Sequence, residues 1–337
     1  RREADAAGVD LGALAARAAM RLEPTPRFEV RQAEEWLAHL EEHGYAVLAA
    51  VADEASVRRA HDLLWQFLEA APGAEVRRAA PGTWEGPGWR ASASNGLLGG
   101  GGIAQSDFAW HVRLLPRVRR AFQDIWGSSD LLVSFDGCNI FRPWRRWPER
   151  RTEGSWWHVD QNALRGGAGR RCVQGLVALT AATPAAGGLC VVPGSHRQHL
   201  EVCERACSST MGNFVPVSVA DPVLQTGTRL VCAEAGDLIL WDSRCVHCNT
   251  PGVLEEEDKV SSDELLRLAS YVCMTPAAWA CEETLALRRQ AFVRNMVATH
   301  IPHEMHDLEA GPEWMAEKDW DRTPELQRHL IVGKGGE

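Results

Sequence analysis

The chain has 337 residues, 45% of them hydrophobic, enough to fill one large domain or two small ones. A formal charge of −9 argues against a nucleic-acid partner, which calls for a basic surface, and leaves small-molecule chemistry as the expectation. No apolar run reaches the length of about 18 residues that a membrane span needs. Ten irregularly spaced cysteines do not resemble a secreted disulfide scaffold and fit reduced thiols in an intracellular, cytoplasmic protein. Because the chain starts at Arg1, a removed organelle-targeting segment is compatible with it. Oligomeric state leaves no trace in the sequence.

Residues 1–26 read as an N-terminal extension in which "DLGALAARAAMRL" has the pattern of a short amphipathic helix. From Ala33, "AEEWLAHLEEHGYAVL" places Trp36, Leu37 and Leu40 on one helical face, reaches a stop at Gly44 and passes into a strand over 45–48. A second helix is expected from about Asp53, turning Val57, Ala60, Leu64 and Phe67 inward. Residues 72–106 show no period and form a long loop, either a plain surface loop or a lid over a site. Its run Gly99 to Gly102 lacks the Lys-Ser/Thr ending of a phosphate-binding loop.

After the helical stretch "FAWHVRLLPRVRRAFQDIW", the segments "LLVSFDGCNIF", "QGLVALTAAT", "GLCVVPGS", "GDLILWDS" and "RLASYVCMT" read as strands separated by Gly, Pro and Asp. Few helices intervene, which disfavours a doubly wound parallel sheet. An antiparallel sandwich or barrel with the N-terminal helices packed on one sheet is expected. Beyond Pro276 the sequence turns helical, most clearly in "CEETLALRRQAFVRNMVATH". The expected division is an extension over 1–26, a main domain over 27–276, and a C-terminal helical extension over 277–337 packed on that domain.

The stretch "WWHVDQN" sets His158 and Asp160 two residues apart, a spacing that sends both side chains to one face of an extended chain. The pair alone is equally compatible with an ordinary strand. A third donor is available in "GDLILWDSRCVHCNTP", where His247 reads as the end of an apolar strand. Two imidazoles and one carboxylate leave coordination positions open, as non-haem Fe(II) needs when it binds a co-substrate and dioxygen together.

The motifs "GSWWHVDQN", "GGLCVVPGSH" and "GDLILWDSRCVHCNTP" resemble the iron-binding and core motifs of the phytanoyl-CoA dioxygenase family of Fe(II)/2-oxoglutarate-dependent oxygenases. The segment "HLEEHGYAVLAAVADEASVRRAHDLLWQFL" is similar to that family's opening helix-strand-helix, so the resemblance spans about residues 33–276. It implies a mainly β protein with flanking helices, a double-stranded β-helix of the cupin-like, jelly-roll type. It also implies His158, Asp160 and His247 as metal ligands, Fe(II), 2-oxoglutarate and O2 as cofactor and co-substrates, and hydroxylation of an unactivated carbon with release of succinate and CO2. Related halogenases replace the carboxylate by a small residue. Asp160 therefore favours hydroxylation over halogenation, with desaturation and cyclisation left open.

The family clamps the distal carboxylate of 2-oxoglutarate with an arginine at the start of the strand after the second ligand histidine. Here an acidic segment, "LEEEDKVSSDELL", looks inserted, and Arg267 opens the next strand. Its fork of donors suits a carboxylate as lysine does not. Arg244 in "WDSRCVH" is the competitor, or else a salt-bridge partner of Asp242. Asn139, Arg142 and Gln174 are candidates to border the co-substrate. Trp84, Trp89, Trp157 and Gln161 are candidates for the substrate side, and Trp144, Trp147 and Trp156 extend the same aromatic pattern. Arg142, Arg145, Arg146, Arg150 and Arg151 form a basic cluster that suits an anionic substrate or a solvated loop. The pair Cys245 and Cys248, His196, and the series His300, His303 and His306 are expected to be structural. A non-catalytic small-molecule-binding jelly roll is the rival reading.

Overall fold

The computed structural model describes residues 20–335 apart from 23, 87, 145, 207–210 and 254–262. Its strands in chain order are β1 (Met20–Arg21), β2 (Arg27–Glu29), β3 (Tyr45–Ala49), β4 (Leu97–Leu98), β5 (Leu131–Val133), β6 (Cys138–Phe141), β7 (His158–Val159), β8 (Val173–Ala178) and β9 (Gly187–Val191). These are followed by β10 (Val215–Pro216), β11 (Thr228–Leu230), β12 (Leu238–Asp242), β13 (His247–Pro251), β14 (Arg267–Tyr271) and β15 (Met274–Pro276). One sheet has the order β1-β11-β9-β13-β7-β10, the other β2-β3-β12-β8-β14-β6-β4, and β15 pairs β5 separately. Both sheets are open and mixed: β1 with β11 and β2 with β3 are parallel, the remaining pairs antiparallel.

Alternation along each strand builds the layers. On β12, Ile239 and Trp241 join Val47, Leu176, Leu189, Val191 and Ala269 between the sheets, while Leu238 and Leu240 face the helices with Leu48, Val177 and Leu268. Trp157, Val159, Cys190, Val192 and Val246 form a third cluster. A strand with apolar residues on both faces reads as a near-continuous hydrophobic run, as "LILW" does.

Helices α1 (Ala33–His43), α2 (Glu54–Ala70), α3 (Asp107–Arg113) and α4 (Pro116–Trp126) supply side chains to the first cluster. Helix α1 buries Trp36 and Leu40 and ends at Gly44, whose φ of 77° suits glycine and whose N–H donates to the Leu40 carbonyl at 2.8 Å. Asp53 caps α2 by accepting from the Ser56 N–H at 2.7 Å. Ala60, Leu64 and Phe67 are buried as their spacing predicts.

Two short helices, α5 (Ala163–Gly166) and α6 (His199–Arg205), lie between strands, and α7 (Glu282–Val293) and α8 (Glu325–Val332) follow the last one. Arg288 of α7 is fully buried and donates to the carbonyls of Ile331, Pro302, Val133 and Leu330, tying α8 and the segment after α7 to β5.

Two expectations are corrected, and a third lies mostly outside the described residues. The helical pattern of "DLGALAARAAMRL" falls mostly outside the described residues, and Met20–Arg21 form a strand beside β11. His247 opens β13 rather than closing the preceding strand, because Asp242 starts a turn: its carboxylate accepts the Arg244 N–H at 3.0 Å and its carbonyl the Cys245 N–H at 2.8 Å. The helix after Pro276 stops at Val293, short of the end of the expected helical stretch at His300.

Candidate functional site

β7 and β13 are adjacent and antiparallel, and their register sets His247 directly opposite His158. Asp160 continues the β7 chain, held by its N–H to the Ser243 carbonyl at 3.0 Å. The Asp160 Oδ2 is 3.5 Å from His158 Nε2 and 3.2 Å from His247 Nε2. One donor atom from each residue lies within 4.8 Å of the others, so the three can hold one metal ion.

The hydrogen bonds around the rings fit that use. His158 Nδ1 stands 3.1 Å from the Trp156 carbonyl and His247 Nδ1 2.9 Å from the Cys245 carbonyl. A carbonyl only accepts, so each Nδ1 carries the proton and each Nε2 turns its lone pair inward. The Trp241 indole N–H donates to His247 Nε2 at 3.2 Å, consistent with that tautomer. Burial and the neighbouring His158 keep the His247 pKa below its ordinary value, which favours the neutral, ligating form. Burial alone would raise the Asp160 pKa, but the imidazoles of His158 and His300 beside it hold it well below the usual carboxylate range. Gln174 Nε2 donates to Asp160 Oδ2 at 2.8 Å.

The triad opens into a cavity of about 300 Å³ that Gln174, Tyr271, Asn249, Trp156 and Phe214 also line. Trp156 stacks on the His158 ring at 4.9 Å and Phe214 lies 4.6 Å from it. Burial pushes the Tyr271 hydroxyl up to about 12, so it remains a donor at neutral pH, and it accepts from Asn249 Nδ2 at 3.3 Å.

Arg267 is 2% exposed, and Asn139 Oδ1 accepts from its Nε at 2.8 Å. Its Nη2 is buried without a hydrogen-bond partner among the described residues, and burial lowers its pKa. Such a cation is costly to leave without an anion. Gly188 makes room for it: a Cβ there would stand 2.5 Å from Arg267 Nη1. Arg267 is not among the residues lining the cavity, but Tyr271, four residues on along the same strand face, is.

The other candidates are placed as follows. Arg244 spans Asp242, with Nε at 2.9 Å and Nη2 at 2.8 Å from its two carboxylate oxygens, and Arg170 shares that carboxylate. Asn139 joins Arg267 to the loop, donating from Nδ2 to the Asn95 carbonyl at 2.9 Å. Arg142 donates to the Trp84 carbonyl at 2.8 Å and lies over Trp89, away from the cavity. Trp84 is buried against Trp65 at 4.9 Å and, with Trp89 and Trp147, makes a separate aromatic group. Trp157 packs in the third cluster and Gln161 braces the following loop, accepting from the Arg171 N–H at 3.1 Å.

Parity along the chain explains the last two. Trp157 and Gln161 sit at odd offsets from His158 and point away from it, whereas Trp156 sits two residues before. The same even spacing from His247 would have found Asn249, and from Arg267, Tyr271. Asp136, Phe214, His300 and Asn95 reach the cavity through the fold, with no local signal. Asn95 and Leu97 come from the 72–106 segment, so part of that loop does border the cavity. Cys245 and Cys248 fall in different clusters and His196 donates from Nε2 to the Glu41 carbonyl at 3.0 Å, so none of them joins the triad. Arg145 lies outside the described residues; Arg146 pairs with Asp263 at 2.7 Å.

A mainly β sandwich of the jelly-roll, cupin-like type with a two-histidine, one-carboxylate triad at two adjacent strands defines the class. The family model for phytanoyl-CoA dioxygenase (PhyH) matches residues 40–251, and the chain belongs to that family. Ava biosynthesis cluster protein O of Aspergillus versicolor is 29% identical over 221 residues, 60% of this chain and 65% of its own length, so the match spans less than two thirds of that relative. The GlcNAc inducible gene 2 protein of Candida albicans shares the fold at 12% identity, covering 84% of this chain and 73% of its own, with a TM-score of 0.56. A hypothetical protein of Escherichia coli does so at 16% identity, 85% and 80% coverage and a TM-score of 0.55. The epimerase SnoN, from nogalamycin biosynthesis and solved with Fe3+, alpha ketoglutarate and nogalamycin RO, is 17% identical over 73% of this chain and 84% of its own, with a TM-score of 0.47. Among the described residues no helix is long and apolar enough to cross a membrane.

Proposed function

We propose that this protein is an Fe(II)- and 2-oxoglutarate-dependent dioxygenase that hydroxylates an unactivated carbon of a small molecule, releasing succinate and CO2. The observation that carries the reading is a His-Asp-His triad able to hold one metal ion, together with a buried guanidinium on the other sheet that has no carboxylate partner among the described residues. His158, Asp160 and His247 would hold the metal, and Arg267, steadied by Asn139, would take the distal carboxylate of the co-substrate. Arg244 is the weaker candidate for that clamp because Asp242 already satisfies it.

Bound iron supplies oxidative decarboxylation of the co-substrate and the oxidant for the C–H bond. The chain's own residues do the rest. Gln174 fixes the rotamer of Asp160, the two main-chain carbonyls fix the histidine tautomers, and Trp156, Phe214 and Trp241 exclude water from the ligand rings. Retention of Asp160 supports hydroxylation over halogenation.

Anaerobic addition of Fe(II) and 2-oxoglutarate should produce a visible charge-transfer band, and admission of oxygen should yield succinate. A band without succinate or any oxidised product, across a metabolite screen by mass spectrometry, would favour a non-catalytic binding protein. Absence of both in metal-replete protein would overturn the oxygenase reading.

A further inference from the structure

A second cavity, of about 570 Å³, meets the first at Asp160, Phe214 and His300, which line both. The smaller chamber must hold metal and co-substrate, so the bulk of a substrate has to lie in the larger one. Together they fall in the range of about 300–1,000 Å³ typical of sites for drug-sized ligands. Much of the second chamber is built by Thr299, His300, Glu304 and Asp307. These lie beyond residues 40–251, the part that matches the family, so family membership does not assign this lining.

Two features state what the chamber takes. Phe214 is 52% exposed although it sits at the junction, so it offers a flat apolar surface to a ring. Thr299 Oγ1 and His300 Nε2 are buried with no hydrogen-bond partner among the described residues, neighbours in sequence and both on the wall. Buried polar atoms are normally satisfied, and here a ligand hydroxyl would satisfy them. The chamber has no surplus of cations. Arg165 and Arg171 face Asp160, Glu304 and Asp307, and Arg171 is ion-paired to Glu304. That balance does not suit the phosphates of an acyl-coenzyme A, which need several uncommitted cations.

We infer that the second chamber is the substrate site and that it selects a neutral, hydroxyl-bearing ring compound, its ring face on Phe214 and a hydroxyl on Thr299 and His300. This rests on the oxygenase reading for its chemistry but not for its binding. The specificity-determining residues are then Phe214, Thr299 and His300.

Calorimetric titration tests it, with phenyl β-glucoside, catechin and naringenin as neutral ring probes and octanoyl-coenzyme A as the contrast. The protein is loaded anaerobically with Fe(II) and 2-oxoglutarate, and the charge-transfer band is recorded beside each titration. At least one ring probe should bind. Thr299→Val and His300→Leu should each weaken it about threefold to tenfold, the loss of one hydrogen bond, while Thr299→Val keeps the band. The inference is overturned if no ring probe binds while the band forms, if octanoyl-coenzyme A binds in preference, or if the variants bind as the parent does. A missing band would count against the oxygenase reading alone, since variant-sensitive binding of a ring probe would still establish the chamber as a ligand site.

Discussion

His158 and His247 are restrained in the same way: each ring donates from Nδ1 to the carbonyl two residues before it, and the two rings stand 4.2 Å apart across the β7–β13 pair. The triad therefore has its donor atoms aimed before any ion arrives, and its remaining freedom is the carboxylate, which Gln174 holds.

Gln174→Leu should lower Fe(II) affinity by about 10–100-fold, the usual effect of removing a group that orients a ligand. Competition with a coloured chelator measures it. Since Gln174 lies on the well-packed β8, the variant should keep the circular dichroism spectrum of the parent.

Arg267→Met should raise the apparent KM for 2-oxoglutarate by an amount equal to about 2–5 kcal/mol, the range for removing one member of a buried charge pair. Arg244→Met should leave that KM unchanged. Steady-state succinate release separates the two. Equal effects would reject Arg267 as the clamp.

Asp242 predicts an acid-sensitive stability. Burial opposes its charge, but the hydrogen bonds and charges of Arg244 and Arg170 win and set its pKa below the ordinary 3.8. A carboxylate whose folded pKa is depressed stabilises the fold above its unfolded pKa, and loses that contribution as pH falls through the folded value. The melting temperature should therefore fall below about pH 4. Asp242→Asn should be less stable at pH 7 by about 1–3 kcal/mol, discounted for the partial exposure of both arginines. Its stability should also change less between pH 5 and pH 3.

Arg288→Leu should destabilise the protein by about 2–4 kcal/mol in urea unfolding, because four buried carbonyls lose their donor at once. Burial has already brought this guanidinium's pKa down to about 9. Arg58→Leu, on an exposed pair with Glu54, should change stability by less than about 1 kcal/mol.

What was readable in advance follows from physical range. Helix ends were legible because Gly44 and Asp53 act on their immediate neighbours. The buried strands were legible as apolar runs, and His158 with Asp160 as a shared face. The two-residue strands β1, β4, β7 and β10 carry too few residues for any period to show. The sidedness of Trp157 and Gln161 was within reach of strand alternation, which would have exchanged Trp157 for Trp156. His300, Asp136 and Phe214 were not within reach, because turns and chain reversals far from the ligands bring them to the cavity. Trp84 and Trp89 drew attention as aromatic residues in a loop, yet their rings fill a hydrophobic core beside α2.

The restraint of the two ligand histidines has a consequence for how the protein must be handled. A mould fixed by main-chain carbonyls discriminates by shape, and an N,N,O set of this shape accepts several divalent ions. By the ordinary order of affinities Ni(II), Cu(II) and Zn(II) compete successfully with Fe(II) at such donors. On the proposed function, material purified on a nickel column or grown in zinc-rich medium would carry the wrong ion and be silent until it is stripped with a chelator and reconstituted with iron under reducing, oxygen-free conditions.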